Sequence, residues 1–172
     1  MKFNVGQLLK SAVGTSRQYD LDEDIVGVDQ DLQIVEPLVG KIRLLRTSDG
    51  ILVTGRLHTG VRLPCRRCLR LFTLPVDFDL EENFHPSAGV TTGAAIPIGD
   101  AEDAATRTDG HRILDLTEVV RQNLLLALPI SPLCSPLCRG LCPGCGADLN
   151  TEPCTCQSEE GDPRLAVLRQ LL

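Results

Sequence analysis

The chain has 172 residues and a formal net charge of −6, and 42% of its residues are hydrophobic against 23% charged. This balance is typical of a folded globular domain and excludes wholesale disorder. The longest apolar run, Leu124 to Ile130, is short and contains Pro129, so no segment predicts a membrane span. The N-terminal residues lack the apolar core of a signal peptide. We therefore expect a cytoplasmic protein with no membrane partner.

An antiparallel sheet is predicted within residues 1–84. The segment DLQIVEPLVG is a candidate strand that Pro37 breaks or places at an edge. Two strands, KIRLLR and ILVTGRLHTGVRL, follow and are joined at Ser48-Asp49-Gly50, where Asp-Gly would supply positive φ angles. The next strand has an apolar residue at every second position from Phe72 to Leu80, which indicates one buried face. Together these strands form a β-meander that could curl toward a barrel.

Two further segments complete the predicted architecture. Residues 85–112 are rich in Gly, Ala and Asp and predict a flexible acidic loop. Residues 113–172 predict a core helix that begins at an Asp115 cap and ends at Pro129, then a cysteine-rich zinc knuckle and a short C-terminal helix after Asp162-Pro163. The fold class is therefore α+β, and we expect the C-terminal segment to form one domain with the sheet.

The eight cysteines have the spacing of metal ligands. A tight turn lets two thiolates reach one ion at about 2.3 Å, and Pro143, Gly144 and Gly146 favour such a turn. In a reducing compartment, clustered cysteines more often bind metal than form disulfides. We predict a primary zinc site on four residues spaced as C-x2-C followed by C-x-C: Cys142, Cys145, Cys154 and Cys156.

The other four cysteines allow several arrangements. Cys65 and Cys68 form C-x2-C after the second strand of the hairpin, and Cys134 and Cys138 form C-x3-C after the helix. Together they could make a second site of four thiolates. Alternatively, Cys138 replaces one of the four primary ligands, or Cys65 and Cys68 are free thiols at a turn. The last arrangement would suit a thiol redox switch.

A basic block surrounds the Cys65–Cys68 turn. Residues 41–70 carry eight Lys and Arg residues against Asp49 alone, in a chain that is acidic overall. Guanidinium groups bind phosphate oxygens two at a time, and phosphate contacts give affinity for nucleic acid that weakens with salt. We predict that five arginines contact RNA or a partner protein: Arg56, Arg62, Arg66, Arg67 and Arg70. The competing interpretation is a solvated strand face balanced by the acidic segments.

No catalytic constellation accompanies these features. The three histidines, His58, His85 and His111, are scattered, and the sequence has no nucleophile elbow, phosphate-binding glycine loop or HExxH motif. We therefore predict a protein that is not an enzyme, has no small-molecule substrate and carries zinc as its cofactor.

Segments along the whole chain recur in a known family: FNVGQLLKSAVGTSRQYDLDE, VRLPCRRCL, LDLTEVVRQNLLLALPISPLC, CRGLCPGCGADLN with CTC, and DPRLAVLRQL. They resemble the YceD family of large ribosomal RNA subunit accumulation proteins. The resemblance implies a non-catalytic factor for 23S ribosomal RNA accumulation, whose partner is a ribosomal RNA precursor or a large-subunit assembly protein. Some members lack the C-terminal cysteine cluster, so the resemblance also implies that function could reside near Cys65–Cys68. The alternative hypothesis is a zinc-stabilised adaptor that binds protein without touching RNA.

Overall fold

A computed structural model of the protein describes residues 1–89 and 104–156. The chain divides into two compact units, of which the first is Met1–Leu63 with Thr73–Ile130 and the second is Pro64–Phe72 with Ser131–Leu172. The predicted short helix after Pro163 lies outside the described residues. No helix in the described ranges has both the length and the apolar character that a bilayer crossing demands.

The described elements confirm the α+β class. In chain order they are β1 (Lys2–Asn4), α1 (Gly6–Lys10), β2 (Ser16–Glu23), β3 (Gln33–Ile34), β4 (Leu38–Arg46), β5 (Ile51–Pro64), β6 (Leu71–Phe84), a 3-10 helix (Ala104–Thr106), β7 (Ile113–Asp115) and α2 (Thr117–Ala127). Two antiparallel ladders, β2–β4 and β4–β5, carry most of the main sheet.

The main sheet is open, so the expected barrel does not close. Its strand order is β2-β4-β5-β3, and β6 also pairs with β5. The predicted break at Pro37 separates β3 from β4, which both run antiparallel to β5. Their register shifts across the break, because the six steps from Gln33 to Val39 oppose only four steps from Arg62 to His58.

The alternating pattern of β6 is confirmed by its burial. Val76, Phe78 and Leu80 are buried, whereas the acidic residues between them are exposed. This face joins one hydrophobic cluster with the buried side of α2, formed by Val119, Val120 and Leu124. Helix α2 ends before Pro129 as predicted, but its N-cap is Leu116 and not the expected Asp115. Asp115 Oδ1 does accept a hydrogen bond from the Thr117 backbone N–H at 3.0 Å.

The N-terminal pairing of the first unit was not predicted. Strand β1 pairs antiparallel with β7, so that Phe3 lies opposite Leu114, and Leu8 and Leu9 of α1 are buried in the core. Strand β2 was also missed, because within it only Leu21 is buried. Strands as short as three residues cannot show a periodic pattern, so only long-range pairing identifies them.

The described ends of the predicted loop 85–112 are tied together. His85 forms an isolated bridge with Arg107. The backbone N–H of His85 donates to the Thr106 carbonyl at 2.9 Å, and that of Thr108 donates to the His85 carbonyl at 3.0 Å. The intervening residues 90–103 lie outside the described part of the chain.

The β4–β5 turn requires glycine for a reason other than the predicted one. Neither Asp49 nor Gly50 has a positive φ angle, so that expectation is wrong. Instead, a Cβ atom on Gly50 would lie 2.0 Å from the backbone oxygen of Phe84. The close approach of the end of β6 to the turn excludes any side chain at this position.

We predict that Gly50→Ala destabilises the protein by at least about 2 kcal/mol, because an added methyl group would have to displace backbone. Gly110→Ala is the matched control, since its Cβ would meet nothing within 4 Å, and we expect a change within about 1 kcal/mol. Urea unfolding of both full-length variants measures the difference. Equal stability of Gly50→Ala and the wild type would contradict the proposed clash.

Candidate metal centres

Eight cysteine sulfurs gather into two groups of four in the second unit. Cluster 1 contains Cys65, Cys68, Cys134 and Cys138, and cluster 2 contains Cys142, Cys145, Cys154 and Cys156. Within each cluster all four sulfur atoms lie within 4.8 Å of one another, so each could hold a metal ion. The structure thus brings together both predicted sets, and it places Cys138 with cluster 1.

The sulfur geometry fits a tetrahedral site. All eight cysteines are free thiols. Four ligands at about 2.3 Å from a central ion are separated from one another by about 3.8 Å. The observed Sγ–Sγ distances approach this value: 3.8 Å for Cys65–Cys138, 3.6 Å for Cys68–Cys134, 3.5 Å for Cys145–Cys154 and 3.2 Å for Cys142–Cys154.

The two C-x2-C segments adopt the same turn. In the first, the Cys65 backbone N–H donates to the Arg70 carbonyl at 2.9 Å, and the Leu69 N–H donates to the Cys65 carbonyl at 2.9 Å. The second repeats both bonds at 2.8 and 2.9 Å, from Cys142 to Ala147 and from Gly146 to Cys142. We call residues 65–70 and 142–147 the first and second knuckle.

The fifth residue of each knuckle has a left-handed backbone. Gly146 has a φ angle of 75°, which glycine adopts without strain. Leu69 occupies the equivalent position with a φ angle of 59°, a conformation that costs a residue with a side chain about 1–2 kcal/mol. Its side chain is 66% exposed, so burial does not compensate for this strain.

Backbone N–H groups in each knuckle point at a sulfur atom. The Arg67 N–H lies 3.4 Å from Cys65 Sγ, and the Gly144 N–H lies 3.4 Å from Cys142 Sγ. Hydrogen bonds from the backbone N–H groups of Cys134 and Cys68 lower the pKa of Cys65 to about 6. In cluster 2, the backbone N–H of Cys145 is the main cause of a Cys142 pKa of about 6.

Other thiols in the same clusters hold their protons. The backbone N–H of Arg70 favours the Cys68 thiolate, but burial and hydrogen bonds with the other three sulfurs outweigh it and raise the pKa of Cys68 to about 12. Hydrogen bonds with Cys154 and Cys145 raise the pKa of Cys156 to about 12. Each cluster thus pairs a readily ionised thiol with a resistant one, as expected when thiolates crowd without a cation between them.

Two of the five predicted contact arginines support cluster 1. Arg67 Nη1 donates to the Cys138 carbonyl at 2.8 Å, and Arg70 Nη2 lies 3.7 Å from Cys134 Sγ. Arg66 is exposed on the first knuckle, and Arg56 and Arg62 are exposed on β5 of the first unit. In the described part of the chain, these last three side chains make no hydrogen bond or ion pair.

Asn150 connects the two clusters, a role that sequence reasoning missed. It lies in the loop between Cys145 and Cys154 of cluster 2, yet its Nδ2 lies 3.5 Å from Cys138 Sγ of cluster 1. Its Oδ1 accepts a hydrogen bond from the Arg139 backbone N–H at 2.8 Å. The loop between the cysteines of cluster 2 therefore carries a hydrogen-bond donor to a sulfur of cluster 1. The only signal for this contact in the sequence is the presence of an asparagine within the cysteine-rich segment.

We predict that Asn150→Ala weakens metal binding at cluster 1 by about 10–100-fold, the usual effect of losing a partner of a metal ligand. Asn150→Asp is the matched variant, because it keeps the acceptor for Arg139 but directs a carboxylate oxygen toward Cys138. It should weaken binding at least as much. Competition with a chelator, followed by cobalt absorption, measures each affinity. Wild-type affinity in both variants would show that the Nδ2–Sγ contact is incidental.

Comparison with known proteins agrees with this arrangement. The family model described as "Large ribosomal RNA subunit accumulation protein YceD" matches residues 53–172. Uncharacterized proteins of Mycobacterium tuberculosis and Mycobacterium bovis are 33% identical over 135 residues, which cover 76% of this chain and 60% of theirs. The chain thus matches less than two thirds of the length of these relatives, and no solved structure matches it significantly. Because the family match covers residues 53–172, more than half of the chain, the chain belongs to the YceD family.

Proposed function

We propose that the protein is a non-catalytic cytoplasmic factor for 23S ribosomal RNA accumulation and large ribosomal subunit biogenesis, with zinc bound at both clusters. The observation that carries the proposal is the YceD family match over residues 53–172. The printed family description names large ribosomal RNA subunit accumulation. Three exposed arginines, and exposed leucines on and beside the first knuckle, are features of a binding surface.

Zinc is the ion that the clusters favour. Four thiolates in a tetrahedral arrangement suit Zn²⁺, and a site with four protein ligands and no open position is structural rather than catalytic. A bound zinc ion would fix the two knuckles and the segment between them. Its contribution here is therefore to hold the shape of the second unit.

RNA contact is proposed for the three exposed arginines without a structural partner. Arg56 and Arg62 lie on the exposed side of β5, where Arg56 is paired in register with Lys41 of β4. Arg66 is exposed on the first knuckle. Aromatic residues make up only 3% of the chain, so stacking on bases contributes little and contacts with phosphates would dominate.

A second candidate function, a zinc-stabilised adaptor for a protein partner, is favoured by exposed leucines in the second unit. Leu69, Leu71 and Leu137 are 66%, 58% and 87% exposed. A strained backbone at an exposed apolar residue such as Leu69 is typical of a contact site. The redox switch is less favoured, because Cys65 and Cys68 are 0% and 6% exposed and an oxidant would not reach them easily.

We predict that the purified protein carries two zinc ions per chain. The variant Cys145→Ser/Cys154→Ser should carry one, because each cluster needs its own four thiolates. Lowering the pH should release both ions, since protons compete with the metal for the thiolates. Elemental analysis of each sample measures the count. A folded wild-type protein without bound metal would contradict the assignment.

We also predict that Arg56→Gln/Arg62→Gln weakens binding to precursor RNA and makes its salt dependence shallower. Each lost phosphate contact should reduce the slope of log K against log salt by about 0.7–0.9. Arg66→Gln tests the first knuckle separately. The control is Lys2→Gln/Arg139→Gln, which removes two exposed positive charges elsewhere.

Filter binding at several salt concentrations compares the variants, with zinc content as the check on folding. Equal losses in the control and in the β5 variant would show a diffuse charge effect. If no variant changes RNA binding, and Leu69→Ser abolishes capture of a ribosome-assembly protein, the adaptor function replaces the RNA contact.

A further inference from the structure

A cavity lined by positively charged residues lies in the first unit. Its lining residues are distant in sequence from Arg56, Arg62 and Arg66 and lie on other elements. Its volume is about 510 Å³, and its lining includes Asn4, Gln7, Lys10, Arg17, His111 and Arg112. Among the described residues that line it, none is Asp or Glu. In a chain with a net charge of −6, such a lining reverses the sign of the local potential and favours an anion.

Most of the polar side chains that line the cavity come from three parts of the first unit. Helix α1 contributes Gln7 and Lys10, strand β2 contributes Arg17, and the turn before β7 contributes His111 and Arg112. Arg17 Nη2 donates to Gln7 Oε1 at 3.0 Å, so the guanidinium is oriented by a neutral partner and keeps its full charge. At Arg17 the cavity therefore presents a donor that a neutral side chain orients.

The turn that carries His111 and Arg112 is held in one shape. Arg112 has a left-handed φ angle of 62°, and its N–H and carbonyl bond to the Asp109 carbonyl and the Val5 N–H, both at 3.0 Å. The Asp109 carboxylate accepts hydrogen bonds from two backbone N–H groups of this turn, His111 at 2.8 Å and Ile113 at 2.7 Å. Strained residues held this firmly are common at ligand sites.

Glycine at position 6 leaves room for Arg112 beside the cavity. A Cβ atom there would lie 3.4 Å from Arg112 Cδ and 3.3 Å from Asn4 Oδ1. The distance to Asn4 Oδ1 is tighter than most side-chain contacts and that to Arg112 Cδ is at the short end of the ordinary range, so a side chain at position 6 would crowd the lining. The N-terminal segment thus fits around Arg112 and shapes the cavity.

We propose that this cavity binds a phosphate-bearing ligand of about nucleotide size through Lys10 and Arg17. Ligand sites of about 300–1,000 Å³ accept molecules of that size, and lysine and arginine are the side chains that bind phosphate oxygens. No Phe, Tyr or Trp is among the described lining residues, so the proposal assigns recognition to the phosphate rather than to the base. The ligand is either a phosphorylated end of an RNA chain or a free phosphorylated small molecule.

This inference does not rest on the proposed RNA contact of Arg56, Arg62 and Arg66, because none of these residues lines the cavity. Inorganic pyrophosphate serves as the probe, and its loss of binding in a variant of Lys10 and Arg17 separates the cavity from those arginines. A short RNA with a 5′-phosphate, compared with the same RNA without it, tests the RNA end as the source. Preference for the 5′-phosphorylated RNA over pyrophosphate assigns the RNA end, and the reverse preference assigns a small molecule.

Calorimetry on the full chain compares the wild type with Lys10→Ala/Arg17→Ala. The matched control is Lys41→Ala/Arg43→Ala, which removes two exposed cations of β4. We expect at least tenfold weaker pyrophosphate binding in the cavity variant and an unchanged affinity in the control. Equal weakening in both variants, or no binding of pyrophosphate and no effect of the 5′-phosphate, would overturn the proposal.

A second measurement needs no substitution and so does not depend on the folding of a variant. Acetylation of lysines in the wild-type protein, followed by mass spectrometry, should show Lys10 protected by pyrophosphate, whereas Lys41 should not be protected. Both lysines are exposed, so both are accessible to the reagent. Equal protection, or none, would count against a site at Lys10.

Discussion

Crowding of thiols around two points governs the second unit. Four sulfur atoms within 4.8 Å of one another cannot all carry a negative charge unless a cation lies between them. The pKa values of Cys65 and Cys68, about 6 and about 12, show the resulting compromise. A divalent ion would offset the repulsion between the thiolates and displace the protons of the remaining thiols, so that all four sulfurs of a cluster could be ionised. With such an ion bound, metal coordination would hold the shape of the knuckles alongside the burial of apolar side chains.

The small core of the second unit supports this role of metal coordination. Its buried cluster consists of three cysteines, with Phe72, Leu133, Cys134 and Leu141 partly buried around them. Few apolar groups are buried in the described part of this unit, and small folds of this kind usually need disulfides or a metal. Eight free thiols in two groups that could each hold a metal ion would supply such a means. Arg67, Arg70 and Asn150 serve the same end by bonding to the cysteines.

The first unit has a different basis for stability and another distribution of charge. One continuous hydrophobic cluster extends from Val5 to Leu124 and owes nothing to metal. Its surface separates charges by strand: β6 exposes Asp77, Asp79 and Glu81, whereas β5 exposes Arg56 and Arg62. Basic surfaces therefore exist locally on an acidic protein. Such segregation restricts phosphate binding to defined places and opposes it elsewhere.

The sequence by itself determined the features that depend on local spacing. The alternation from Phe72 to Leu80 predicted β6, the helical period and Pro129 predicted α2, and the C-x2-C spacing predicted the knuckles. Each of these signals lies within a few residues, because strand pleat, helix pitch and metal coordination have short repeats. The tertiary structure alone decided that Cys138 belongs with Cys65, Cys68 and Cys134, since Cys65 and Cys138 meet at 3.8 Å across 73 positions of the chain.

Tertiary structure also decided the roles of residues whose chemistry is ambiguous. Arg66, Arg67 and Arg70 carry the same group within one short segment, but Arg67 and Arg70 contact residues of cluster 1 and Arg66 does not. Gly50 suggested a positive φ angle, yet what it accommodates is the Phe84 backbone at the far end of β6. The cavity beside Arg112 draws on segments nearly a hundred residues apart in sequence. Guanidinium groups, glycines and cavities all take their roles from neighbours that are distant in the chain, and no local pattern encodes those neighbours.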